Sequence, residues 1–166
     1  MCVEHPGAVV VLAVDDQDRA LVLRQYRHPA RMRIVELPAG LLDQPDEDPL
    51  VAARRELLEE GALEAEEWTH LSTVHSSPGI SDERIMIYLA RGLREVPDRG
   101  GFVLEHEEAD MTLDWVPLAD LLQAVRAGRV TDAPVVIALL TYALTRGRLP
   151  HEAHDTPLPG RSLAGP

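Results

Sequence analysis

Carboxylates are concentrated in a short segment in the first half of the chain, Arg55-Glu56-Leu57-Leu58-Glu59-Glu60. On a helix that advances about 100° per residue, Glu56 and Glu60 lie roughly 40° apart, and Glu59 lies beside them. Like charges at this spacing destabilise a helix by roughly 0.2–0.5 kcal/mol per pair. A hard divalent cation would offset this repulsion, because Mg²⁺ prefers oxygen ligands and bridges carboxylates to substrate phosphates. The segment therefore predicts a metal site that serves a phosphate-bearing substrate.

The charge balance points to the same kind of site. Of the 166 residues, 28 are Asp or Glu and 16 are Lys or Arg, which gives a formal net charge of −12. Such a surface repels nucleic acid, so we expect no nucleic-acid partner. It would also repel a small phosphate ester unless cations lay between the ester and the protein. The length suits one domain with a sizeable core, which must be aliphatic because only 4% of the residues are aromatic.

The sequence lacks the usual signs of a membrane or secreted protein. The apolar runs are shorter than the ~18 residues that a membrane-spanning helix requires. The chain opens without the basic and apolar regions of a secretory signal. The single cysteine, Cys2, cannot form an internal disulfide. We therefore expect a cytoplasmic protein with no membrane partner.

Hydrophobic periodicity predicts alternating strands and helices around the acidic segment. Asp48 followed by Pro49 is typical of a helix start, and the helix is expected to run to about Ala62. Residues 8–14 and 20–26 are expected to pair as a hairpin, and residues 40–48 to form a loop. The end of the chain, 149–166, is rich in proline and predicts a disordered tail. Further strands are predicted at 33–37, 68–75, 84–91 and 111–116, and further helices at 117–127 and 132–146.

The acidic helix and the loop before it resemble the Nudix box. That pattern is Gly, five residues, Glu, seven residues, then Arg-Glu-apolar-any-Glu-Glu-any-Gly-apolar. Here Gly40 is followed by six residues, Glu47, seven residues and then Arg55, so the loop is one residue longer. Ala62 replaces the last glycine, and we expect the neighbouring Gly61 to end the helix in its place. The resemblance implies an α/β Nudix fold over residues 1–148, with a mixed β-sheet sandwiched between helices.

The same resemblance implies roles for the charged residues of the box. Arg55 is expected to act in catalysis by orienting Glu59 through an ion pair, since the two are four residues apart. Glu47 is expected to support the base of the loop. The implied cofactor is Mg²⁺, with Mn²⁺ as a substitute. The implied metal ligands are Glu56, Glu59, Glu60 and the backbone carbonyl of Ala39.

Three further segments are similar to the ADP-ribose pyrophosphatases of this family: residues 25–29 (QYRHP), 36–40 (ELPAG) and 77–83 (SPGISDE). The resemblance implies that Arg27 clamps the diphosphate, because a fork-shaped donor suits phosphate oxygens. Ser81 and Glu83 are expected to contact the terminal ribose or the metals. Glu36 is expected either to bond a substrate hydroxyl or to hold the loop in place.

An acidic segment at residues 106–110 (HEEAD) is a source for the catalytic base. Hydrolysis of a diphosphate requires that water be deprotonated beside the phosphorus. The helix carboxylates are committed to metal, so the base must come from elsewhere. The resemblance implies Glu108, with Glu107 as the alternative. Together these features predict cleavage of ADP-ribose to AMP and ribose 5-phosphate by water attack at phosphorus.

Two other functions remain open at this stage. One is hydrolysis of other nucleoside diphosphate sugars or of dinucleotides, and the other is a non-catalytic module that senses a nucleotide. Catalysis is favoured because every metal carboxylate of the box is present. The resemblance also implies a homodimer, built with a small sheet before the first core strand that helps hold the adenine. Only four residues precede His5 here, so either the true start lies upstream or the adenine pocket is built differently.

Overall fold

The computed structural model describes residues 2–97 and 111–145, which form seven strands and three helices. The strands in chain order are β1 (Ala8–Ala13), β2 (Arg19–Arg27), β3 (Met32–Glu36), β4 (Ala39–Leu41), β5 (Leu63–His75), β6 (Arg84–Glu95) and β7 (Thr112–Pro117). The helices are α1 (Pro49–Gly61), α2 (Leu118–Arg126) and α3 (Ala133–Thr145). The predicted base candidates Glu107 and Glu108, and the predicted tail 149–166, lie outside the described residues.

Strand β1 is central, and both of its faces are buried. Val9 and Val11 pack in a cluster with residues of α1, whereas Val10 and Leu12 pack in a second cluster with residues of α2 and α3. A strand that is covered by helices on both sides needs apolar residues at every position. This explains the continuous apolar run that the sequence shows there. The predicted α/β architecture, with helices on either side of the sheet, is confirmed.

The strands divide between two sheets. The four-stranded sheet has the order β4-β1-β6-β5 and is mixed, because β1 runs parallel to β6 and antiparallel to β4. The three-stranded sheet has the order β3-β2-β7 and is antiparallel. The predicted hairpin of β1 and β2 is therefore wrong: only an isolated bridge joins Val14 to Ala20. Alternation of apolar residues identifies a strand but does not identify its partner, which depends on where its two faces are buried.

Two other boundaries differ from the prediction. The predicted loop at 40–48 begins with β4, which pairs Gly40 with Val9 of β1. Strand β5 starts at Leu63, well before the predicted residue 68, and β6 continues to Glu95. The first part of β5 is rich in exposed glutamates because β5 lies at the edge of its sheet. Its apolar periodicity is correspondingly weak.

Helix α1 spans the predicted residues, but the residue that forms its left-handed cap differs from the prediction. The Asp48 side chain accepts hydrogen bonds from the amides of Leu50 and Val51, at 2.8 and 3.4 Å. Gly61 stays helical, and Ala62 forms the left-handed cap with φ 53°. The expectation that Gly61 would end the helix is therefore wrong. A Cβ on Gly61 would lie 2.9 Å from the Leu21 side chain, so this glycine allows α1 to pack closely on β2.

Within the described parts of the chain, no helix is long and apolar enough to cross a membrane.

Candidate metal and diphosphate site

Helix α1 presents two buried carboxylates, Glu56 and Glu60, to the backbone of β4. Glu60 accepts a hydrogen bond of 2.9 Å from the amide of Ala39. The backbone of Gly40 lies directly against the other carboxylate, since a Cβ at that position would fall 1.9 Å from Glu56 Oε1. Any side chain at residue 40 would therefore displace Glu56. The glycine of the box is required here for close approach rather than for an unusual backbone angle.

The β4 backbone is itself held in place by the central strand. Ala39 pairs with Val10 in the antiparallel ladder, and the amide of Val11 donates to the carbonyl of Pro38 at 2.8 Å. Ala39 thus sits between the buried sheet and the carboxylate of Glu60. The structure brings together the Ala39 backbone, Glu56 and Glu60, three of the four predicted metal ligands.

Arg55 joins the loop to the helix through three carboxylates. Its guanidinium forms a two-point contact with Glu47, at 3.1 Å for each hydrogen bond. The same group donates to Glu56 at 2.6 Å and to Glu59 at 3.1 Å. Hydrogen bonding to Glu47 is the main reason that the pKa of Arg55 is raised above its ordinary value. The predicted ion pair with Glu59 is present, and Glu47 supports the loop as expected.

Glu56 is the most perturbed carboxyl group of the site. Burial raises its pKa to about 7, the Arg55 charge and hydrogen bond oppose that rise, and the charges of Glu59 and Glu47 add to it. A bound cation would favour the ionised form of this group. Ionisation of Glu56 is therefore unfavourable in the folded protein unless a cation lies nearby.

The donors of this site fit a hard divalent cation. Within residues 2–97 and 111–145, no three acidic, histidine or cysteine side chains are already gathered as a metal cage. Mg²⁺ suits a sparser site, because it keeps several waters and takes one or two carboxylates together with substrate phosphates. Glu59, which Arg55 holds at 3.1 Å, is the remaining predicted ligand on the same helix.

Arg27 and Glu36, predicted separately as substrate contacts, are bound to each other. The Arg27 guanidinium donates two hydrogen bonds of 2.7 Å to the Glu36 carboxylate. Glu36 lies opposite Leu23 in the ladder of β2 and β3. Arg27 and Glu36 are therefore on the same face of the three-stranded sheet as Leu21, which packs in the cluster that contains residues of α1. A planar two-point contact fixes the orientation of the guanidinium. This contact of Glu36 with Arg27 was not predicted from the sequence, and the two roles predicted for Glu36 stay predictions.

Asp132 is a carboxylate near this pair that the sequence analysis did not identify. It precedes α3 and accepts a hydrogen bond from the amide of Val135 at 3.2 Å. Burial raises its pKa, the Glu36 charge raises it further, and the Arg27 charge lowers it. The available signal was an aspartate directly before a helix, which predicts a cap but not proximity to another element.

Ser81 and Glu83 lie together before β6. The amide of Glu83 donates to Ser81 Oγ at 3.1 Å, and Glu83 Oε1 lies 3.6 Å from Nδ1 of His5. The structure therefore brings these two predicted substrate contacts to the N-terminal residues of the chain.

Comparison with known proteins identifies the family of this chain. The model of the NUDIX domain matches residues 4–139. The chain belongs to the NUDIX domain family. The Nudix prediction is thereby confirmed, and Nudix hydrolases generally need a divalent metal. The oxygen donors described above fit that requirement.

Similar Nudix proteins have more than one described role. The ADP-ribose pyrophosphatase of Mycobacterium tuberculosis (strain ATCC 25618 / H37Rv) is 44% identical over 146 residues, which cover 87% of this chain and 69% of that protein. The methanol dehydrogenase activator of Bacillus methanolicus is 39% identical over 137 residues, which cover 82% and 72%. A crystal structure of an ADP compounds hydrolase superimposes with a TM-score of 0.71 at 25% identity, covering 85% of this chain and 73% of that one.

Proposed function

We propose that this Nudix protein hydrolyses ADP-ribose to AMP and ribose 5-phosphate. The observation that carries the proposal is the packing of Gly40 against Glu56, with Glu60 bound to the adjacent amide. Both carboxylates are buried against the backbone of β4, which supports a metal site over a solvated charged helix. The similarity to an ADP-ribose pyrophosphatase along 87% of the chain supports the choice of substrate.

The reaction requires a new bond from water to one phosphorus and loss of the bridging P–O bond. The proton of the water passes to a base, for which we propose Glu108, with Glu107 as the alternative. The metal, Mg²⁺ or its substitute Mn²⁺, would be held by Glu56, Glu59, Glu60 and the Ala39 carbonyl. When bound, it would neutralise phosphate charge and lower the pKa of water.

Substrate positioning falls to residues on the sheets. We assign the diphosphate clamp to Arg27, whose guanidinium is already oriented by Glu36 at 2.7 Å. A donor fixed in advance loses little side-chain freedom when the substrate binds. Ser81 and Glu83 are assigned to contacts with the bound substrate, either at its terminal ribose or at the metals on its diphosphate.

The test of the proposed function is product analysis with ADP-ribose and Mg²⁺ or Mn²⁺. We expect equal amounts of AMP and ribose 5-phosphate, and the position of label from H₂¹⁸O identifies the attacked phosphorus. Glu60→Gln should lower kcat more than about 100-fold. The exposed Glu67→Gln is the matched control and should leave kcat unchanged. Near-normal turnover by Glu60→Gln would exclude α1 as the metal site.

The base assignment is tested separately. Glu108→Gln should reduce kcat by ~100-fold or more while metal-induced stabilisation is retained, and Glu107→Gln should be mild. If Glu108 abstracts the proton, the variant should lose the acid limb of the pH–rate profile and recover partly at high pH. The reverse ranking of the two variants would move the base to Glu107.

Similarity to the methanol dehydrogenase activator favours one other candidate, a module that binds a nucleotide and acts through a partner protein. Such a module would bind ADP-ribose without forming AMP. The other alternative is hydrolysis of a different nucleoside diphosphate sugar or of a dinucleotide. Comparing kcat/KM across a panel of these compounds and ADP-ribose tests it.

A further inference from the structure

Residues 3–7, here termed the N-terminal strap, contact two loops that carry predicted site residues. One is the segment Ser81–Glu83. The other, here termed the metal loop, consists of strand β4 and the residue that follows it, Leu42. The strap precedes β1, and its contacts to both loops are made largely by backbone atoms.

The first end of the strap is anchored to the segment before β6. The amide of Val3 donates to the carbonyl of Ile80 at 2.8 Å, and the carbonyl of Val3 accepts from the amide of Asp82 at 3.4 Å. These two bonds form a parallel bridge with Ser81 between them. The amide of His5 then donates to Asp82 Oδ1 at 2.9 Å. The strap thus contacts both sides of this short segment.

The second end of the strap is anchored to the metal loop. The carbonyl of Gly7 accepts from the amide of Leu42 at 3.0 Å. Gly7 has φ 94°, and a Cβ there would lie 3.1 Å from the carbonyl oxygen of Arg84 and 3.4 Å from the Leu42 side chain. Only glycine adopts this conformation without strain in so narrow a space. Gly7 therefore passes between the start of β6 and the end of β4.

The His5 side chain links the two anchors. Its Nδ1 accepts a hydrogen bond from the Gly7 amide at 3.1 Å, which requires the tautomer with the proton on Nε2. The same atom lies 3.6 Å from Glu83 Oε1, a packing contact that is too long for a hydrogen bond. The imidazole thus holds the bend at Gly7 through a hydrogen bond. It also packs against the Glu83 carboxylate and limits the positions that this carboxylate can take.

We propose that the N-terminal strap sets the position of the Ser81–Glu83 segment relative to the metal loop, and that His5 is its positioning residue. The inference rests on the proposed function, in which Ser81 and Glu83 contact the substrate while the metal loop holds the cation. A strap that joins both would fix the position of the terminal ribose relative to the diphosphate of the bound substrate.

The test compares His5→Ala with His5→Asn. Alanine removes the acceptor for the Gly7 amide and the contact with Glu83, whereas the asparagine Oδ1 can replace Nδ1 as an acceptor. We expect His5→Ala to raise KM for ADP-ribose about 3- to 10-fold, with a smaller change in kcat, and His5→Asn to restore most of the loss. Hydrogen exchange at the amides of Asp82 and Glu83 should accelerate in His5→Ala by a similar factor.

Glu4→Ala is the matched control, because Glu4 is an exposed neighbour on the same strap. It should change neither KM nor exchange at Asp82 and Glu83. Unchanged exchange at those amides in His5→Ala would overturn the proposal. A lower Tm with unchanged KM would also overturn it, because it would show a structural role alone. Absence of hydrolysis by the wild type would refute the proposed function instead, and the exchange data would still decide whether the strap holds the segment.

Discussion

The ionisation of Glu56 depends on opposing effects of burial and of neighbouring charges. Its carboxyl group is buried and close to other acidic groups, and both effects favour the protonated form. Arg55 donates to it at 2.6 Å and favours the ionised form. Because burial prevails, the metal-free protein keeps this group partly protonated near neutral pH. If Glu56 holds the proposed cation, that cation competes with a proton for the carboxylate.

This competition predicts how stability depends on pH. The pKa of Glu56 is about 7 in the folded protein, against an ordinary value of 4.5. Between these values the folded state binds more protons than the unfolded chain, so the Glu56 contribution falls as pH rises. The contribution is fully present below about pH 4.5, and about 3 kcal/mol is lost by pH 7. Denaturant titrations with chelator at pH 4.5–8 should show this decline in the wild type.

Glu56→Gln supplies the comparison for that experiment. Glutamine does not titrate, so the variant should lack the Glu56 part of the slope. Added Mg²⁺ should stabilise the wild type more at pH 8 than at pH 5.5, because fewer protons compete. Parallel pH profiles for the two proteins would contradict the assignment.

Gly40 gives a second prediction at the residue scale. Gly40→Ala would place a Cβ 1.9 Å from Glu56 Oε1, so the carboxylate must move. We expect kcat/KM to fall about 10- to 100-fold, as for residues that orient metal ligands, and metal-induced stabilisation to weaken. Gly79→Ala is the matched control, since a Cβ there meets nothing within 4 Å. Equal activity of the two variants would show that the Gly40 contact is unimportant.

At the scale of elements, α1 ends under strain. Ala62 adopts φ 53° in its left-handed cap, a conformation that glycine adopts readily and alanine does not. Ala62→Gly should therefore raise the free energy of unfolding by about 0.5–1 kcal/mol. Thermal or denaturant unfolding measures the gain.

The end of α2 provides the control for that substitution. Its cap, Ala127, has φ −84°, so Ala127→Gly removes no strain and should be neutral or slightly destabilising. A loss of stability in Ala62→Gly would show that the cap geometry is not as described.

At the scale of the whole molecule, β1 joins the two hydrophobic clusters. Leu12 is fully buried in the cluster with α2 and α3, whereas Trp68 and Trp115 pack on the other cluster. Leu12→Ala should lower the free energy of unfolding by about 2–5 kcal/mol. Because one strand belongs to both clusters, tryptophan fluorescence and far-UV circular dichroism should shift together.

Leu144→Ala is the control on the surface, since Leu144 is 87% exposed. It should change stability by less than about 0.5 kcal/mol. Separate fluorescence and dichroism transitions in Leu12→Ala would show that the two clusters unfold independently.

Much of the site could be predicted from the sequence because its chemistry is local. Glu56, Glu59 and Glu60 share a helix face by their spacing alone, and Asp48 with Pro49 starts that helix through contacts within one turn. A helix is closed by bonds between near neighbours, so a short pattern determines which side chains lie together. The family of the protein and its expected metal ligands follow from this segment.

Only the tertiary structure decided which strands pair and which distant charges meet. The sequence predicted a β1–β2 hairpin, but the two strands are in separate sheets, although both contribute residues to the same two hydrophobic clusters. The pairing of Arg27 with Glu36 and the approach of Asp132 likewise join separate elements. The need for glycine at residue 40 also comes from a tertiary contact, because its backbone packs against the carboxylate of Glu56, sixteen residues further along the chain. Spacing specifies a face, whereas contact between faces depends on how the whole chain buries its apolar surface.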